Sequence, residues 1–75
     1  MNNEGTVRLN NHLQATDQAH ALVWVDTKAG PDHEPIWTSV CKINGVEVGR
    51  GTGPLKHVAR DVAARQALET LGVAV

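Results

Sequence analysis

The stretch Gly51-Thr52-Gly53-Pro54-Leu55-Lys56-His57-Val58-Ala59-Arg60-Asp61-Val62-Ala63-Ala64 decides the fold. Pro54 suits the first position of a helix, where its missing N–H has no partner to lose and its φ is already set. The helix closes at Leu71-Gly72, because glycine suits a left-handed cap. The roughly 18 residues between make about 27 Å of helix. Ala59, Ala63, Ala67 and Leu71 recur every fourth residue, and three of them are small enough to let the helix lie close on a sheet. Lys56, His57 and Arg60 fall within an arc of roughly 100° on the other side. They form a basic corner at the helix start, where free N–H groups and the positive dipole end also favour phosphate oxygens. The plainer reading is a solvated helix face. Gly49-Arg50-Gly51-Thr52-Gly53 lacks the GKS/T ending and parallel-sheet context of a nucleotide-phosphate loop, so it is expected to be a flexible entry into the helix.

Upstream of that helix, Val46 to Arg50 and Ile36 to Ile43 flank Asn44-Gly45, the strongest short hairpin signal. Ala21 to Thr27 is rich in β-branched and aromatic residues, and Gly30-Pro31-Asp32 breaks it, giving a first strand. Thr6 to about Ala15 has Leu9 and Leu13 one turn apart, with Thr6 or Asn3 as its cap. The order is therefore α-β-β-β-α, an α+β architecture of three antiparallel strands. Each helix has an apolar stripe that cannot be buried alone, so both cover one sheet face. Residues 1–5 are expected to be a flexible N-terminus and residues 6–73 a single domain.

The 75 residues are 41% apolar and 3% aromatic, which bounds the chain to one small domain. Such a domain buries only about 60% of its unfolded surface, enough for a core but not for a deep, lidded catalytic cleft. This speaks against most enzyme classes. No apolar run approaches the roughly 20 residues of a membrane span, and the start is not that of a secretory signal. The expectation is an intracellular chain, cytoplasmic or nuclear. Cys41 is alone and in phase with Trp37 and Ile43, which makes it a core thiol rather than a nucleophile. His12, His20, His33 and His57 show no ligand spacing, and no carboxylate pair marks a hydrolytic site, so no metal, cofactor or catalytic residue is assigned. The net charge of −1 argues against a strongly basic nucleic-acid binder, but it is a sum over unlike halves. Residues 1–40 carry two basic against five acidic residues, net −3, and residues 41–75 carry five against three, net +2.

Three motifs give the chain a family resemblance. Leu9-Asn10-Asn11-His12-Leu13-Gln14 is similar to the first-helix pattern LNExxQ of the double-stranded RNA-binding domain, and Gly30-Pro31-Asp32-His33 to its GPxH loop. The opening stretch is similar to its GxGxSKKxAKxxAA motif. The resemblance implies a domain with both helices on one face of a three-stranded sheet. It also implies binding of double-stranded RNA by shape, across two minor grooves and the phosphates between, over about 16 base pairs. By this resemblance Asn10 and Asn11 meet the first minor groove, Pro31 and His33 the second, and Lys56, His57 and Arg60 the phosphates. Asn11 stands where the family has Glu, and His57 where it has its middle lysine. Both departures predict weak, modestly salt-dependent binding.

Strand alternation gives a second expectation. With Trp37, Ser39, Cys41 and Ile43 inward, Ile36 and Val40 point outward. Aligning the first strand through the GPxH loop puts Val23 and Val25 inward, leaving Leu22 and Trp24 outward beside them. Leu22, Trp24, Ile36 and Val40 then form an uncovered apolar patch fit for a homodimer or protein partner, the alternative to RNA binding. A shift of one residue in the first strand would place Trp24 in the core instead.

Overall fold

The computed structural model describes residues 4–73. Residues 1–3, with the candidate cap Asn3 and most of the expected flexible N-terminus, lie outside the described residues, as do 74–75. The elements are α1 (Glu4–Ala15), a 3-10 turn (Ala19–Ala21), β1 (Leu22–Ala29), β2 (Ile36–Ile43), β3 (Val46–Gly53) and α2 (Lys56–Thr70). The strands form one antiparallel sheet in the order β1-β2-β3. This is the expected α-β-β-β-α architecture. Leu9 and Leu13 of α1 share the core with Cys41 and Ile43 of β2 and with Ala63, Ala64, Ala67 and Leu68 of α2. Both helices therefore bury their stripes on the same sheet face.

The phase of β1 is the inverse of the expected one. Leu22 pairs with Ile43 and Trp24 with Cys41, and both β1 side chains pack against the core. Val23 and Val25 face outward, 53% and 41% exposed. Leu22-Val23-Trp24-Val25 is apolar throughout, so alternation alone did not distinguish its faces, and pairing with β2 decides the matter. The expected patch of Leu22, Trp24, Ile36 and Val40 does not form. Ile36 remains exposed, whereas Val40 is buried between its neighbours Val25 and Arg50 on the outer face.

Two expectations around the start of α2 are also corrected. β3 continues to Gly53 rather than ending at Arg50, staying paired with β2 as far as Trp37. Its glycines are not a flexible entry but the floor on which α2 lies. A Cβ on Gly49 would sit 2.1 Å from the Ala63 carbonyl oxygen, and one on Gly51 would sit 2.5 Å from the Ala63 nitrogen. The fully buried Ala59, Ala63 and Ala67 bring the helix this close. Because β3 runs on, Pro54 precedes the helix rather than opening it, and an extended Leu55 stands at the cap position. At the other end Gly72 (φ 76°) closes the helix as expected, with Gly72 N–H donating to Glu69 and Val73 N–H to Leu68. The Asn44-Gly45 turn has both φ values positive, 54° and 79°, as a two-residue hairpin requires.

Candidate nucleic-acid interface

Register places three chain segments at one end of the sheet. Lys28 pairs with Trp37 and Trp37 with Gly53, so the β1–β2 loop and the approach to α2 leave from the same end of the sheet. The loop is held as a tight turn, with Glu34 N–H donating to the Pro31 carbonyl at 3.0 Å. Gly30 enters it at φ 85°, a conformation that a side chain would strain. Pro31, Asp32 and His33 are all exposed on this turn. At the same end Lys56 is exposed at the first residue of α2, its Nζ 5.8 Å from the centre of the Trp37 ring. His57 beside it is half-buried. The structure thus brings Pro31, His33, Lys56 and His57 to one end of the molecule.

Asn10 and Asn11 lie on a different element. They are exposed on α1, on the side away from the buried Leu9 and Leu13. Within the described residues α1 runs from Glu4, so it includes two residues ahead of the expected Thr6, and a carboxylate from α2 accepts from its first amides. Asp61 Oδ1 accepts the N–H groups of Gly5 at 2.8 Å and Thr6 at 3.3 Å, and Arg65 Nε donates to its Oδ2 at 2.9 Å. Burial works to raise the Asp61 pKa, but Arg65 and the two amides overcome it and hold the carboxyl below its usual range.

Arg60 is engaged within the chain. Its Nε donates to both oxygens of Asp26, at 3.2 and 3.1 Å, and its Nη2 donates to Oδ2. Ser39 Oγ donates to Asp26 Oδ1 at 2.7 Å, and the guanidinium lies 5.3 Å from the centre of the Trp24 ring. The hydrogen bond from Arg60, helped by Ser39, lowers the Asp26 pKa against the opposing effect of burial. Asp26, Ser39 and Trp24 were not singled out as a seat for Arg60 in the sequence. Once β1 has its observed phase they share a face, Asp26 opposite Ser39 and Trp24 two residues away.

Burial pushes the Cys41 thiol up to about 11, which leaves it unreactive in the core. Among the described residues no group of three His, Cys, Asp or Glu side chains could hold a metal, and no helix is long and apolar enough to cross a membrane.

Comparison with known proteins agrees with the α-β-β-β-α architecture. A family model, the double-stranded RNA binding motif, matches residues 7–71. Ribonuclease 3 of Corynebacterium efficiens is 51% identical over 41 residues, covering 55% of this chain and 17% of that protein. Ribonuclease 3 of Streptomyces coelicolor is 36% identical over 62 residues, covering 83% of this chain and 22% of that protein. The chain thus matches only about a fifth of the length of these relatives. With the motif matched over residues 7–71 on an α-β-β-β-α frame, the chain belongs to the double-stranded RNA binding motif family.

Proposed function

We propose that the chain holds double-stranded RNA by shape and does not cut it. The observation that carries this reading is the shared sheet end, where Lys56 and the exposed turn Pro31–His33 stand together. A-form RNA offers a shallow minor groove lined with 2′-hydroxyls, and the phosphates border its deep major groove. Asn10 and Asn11 on α1 donate and accept at one minor groove through their amides. Pro31 and His33 enter the next. Lys56 meets the phosphates between them as a point charge, at a helix start whose dipole favours anions, with His57 beside it. The ribonuclease activity named for the relatives belongs to proteins of which this chain matches about a fifth, and is not carried over to it.

The test is a titration of a 20-pair RNA duplex, with duplex DNA and single-stranded RNA of the same sequence alongside. Binding confined to the RNA duplex, with the RNA recovered intact and Lys56→Ala weakening it, supports the reading. Absence of binding to all three overturns it.

A further inference from the structure

Arg60 stands where the family motif places a phosphate-binding cation, yet its guanidinium lies against a carboxylate of the same chain. The arrangement is well built: two Nε contacts and an Nη2 contact to Asp26, a Ser39 hydroxyl fixing that carboxylate, and the Trp24 ring against the guanidinium. The Arg60 side chain keeps 35% exposure whereas that of Asp26 keeps 13%, so the cation is reachable from solvent while its partner is largely shielded. Resting on the RNA-binding reading above, we infer that Asp26 is an internal competitor of RNA phosphate, holding Arg60 neutral as a pair and lowering the affinity of the α2 end for duplex.

The charge balance carries the consequence. Asp26 and Arg60 together contribute no net charge beside Lys56, whose field also reaches Asp26. A phosphate approaching Lys56 therefore meets one cation rather than two, with a carboxylate nearby. Asparagine at position 26 keeps the shape and, with its amide oxygen at the Oδ1 position, can still accept from Ser39 Oγ and Arg60 Nε, but it removes both the negative charge and the oxygen that accepts from Arg60 Nη2. The Arg60 cation then becomes available for counterion release, and each added phosphate contact steepens the salt dependence by about 0.9 in log–log slope.

The experiment measures the dissociation constant for a 20-pair RNA duplex by fluorescence anisotropy across a salt series. It compares the wild-type chain, Asp26→Asn, and Asp26→Asn with Arg60→Ala, each checked for a cooperative thermal melt. Asp26→Asn is expected to bind roughly five- to tenfold more tightly at about 0.1 M salt, with a slope steeper by about 0.9. Adding Arg60→Ala is expected to abolish both gains. If Asp26→Asn fails to melt cooperatively, Asp26→Ser takes its place with the same expected result. Wild-type binding with no gain in the folded variant overturns the competitor role and leaves the RNA-binding reading standing. Absence of binding by both chains overturns the reading and this inference together.

Discussion

Asp61 shows how one side chain can settle an element it does not belong to. It is buried on α2, 6% exposed, yet it caps α1 through the Gly5 and Thr6 amides while paired with Arg65. Asp61→Ala leaves buried N–H groups without an acceptor, so a loss of about 2–3 kcal/mol is expected in urea unfolding. The same residue sets an acid limb. An unfolded aspartate titrates near 3.9, whereas Asp61 and Asp26 titrate lower in the folded chain. Their stabilisation is complete above the unfolded value and disappears as pH falls through the folded values, so stability should hold at pH 5–7 and decline below about pH 4. Asp61→Asn should flatten that decline, and an unchanged acid limb would remove Asp61 from its cause. Neither the cap nor the Arg60 seat was legible in the sequence, because each joins residues 34 to 56 positions apart. Spacing rules read only neighbours along an element. Gly51 is an intermediate case: the alanine stripe that lies on it was legible, but the glycine itself read as part of a flexible entry rather than as the floor under α2. Gly51→Ala must push α2 away from a Cβ 2.5 Å from the Ala63 nitrogen, with an expected cost of about 1–3 kcal/mol by denaturant melt.

The elements differ in how far local signals could determine them. β2, the Asn44-Gly45 turn and the Gly72 cap agree with expectation because each rests on chemistry contained in a few consecutive residues. β1 does not, because four apolar residues in a row leave its phase to be set by β2. The observed phase also turns Asp26 to the helix side of the sheet, where Arg60 of α2 and the Ser39 hydroxyl satisfy its carboxylate. The C-terminus of α1 carries another feature that propensity missed. Gln18 N–H donates to Leu13 and Asp17 N–H to Gln14, the bonding of a left-handed helix cap, yet the residue at φ 58° is Asp17 rather than glycine. Asp17→Gly should relieve that conformation and, after the larger unfolded-state entropy of glycine is counted, stabilise the chain by about 0.5 kcal/mol. A lowered midpoint in thermal melting would show that the aspartate side chain contributes more there than its backbone costs.

At the scale of the whole molecule, the basic excess of residues 41–75 is smaller in effect than its count. Three of its five cations are ion-paired within the chain, Arg50 with Glu47, Arg60 with Asp26 and Arg65 with Asp61. On the proposed RNA-binding reading, phosphate contact at the α2 end would therefore rest chiefly on Lys56, the exposed cation there. A log–log salt slope of magnitude about 1–2 is expected, where a protein with 6–10 phosphate contacts would show a several-fold steeper one. On that reading little affinity comes from charge, and the proposed engagement of both minor grooves at once would supply most of it. The molecule measures 40 × 25 × 17 Å, and the Pro31–His33 turn lies at the far end of β1 from the 3-10 turn that follows α1, the helix of Asn10 and Asn11. Duplexes shortened stepwise from 20 pairs should bind almost equally until about 16 pairs and then weaken sharply as one groove contact is lost. A smooth decline in proportion to length, with the slope unchanged, would mean that the chain touches duplex RNA through phosphate alone and that the two outer contacts do not act together.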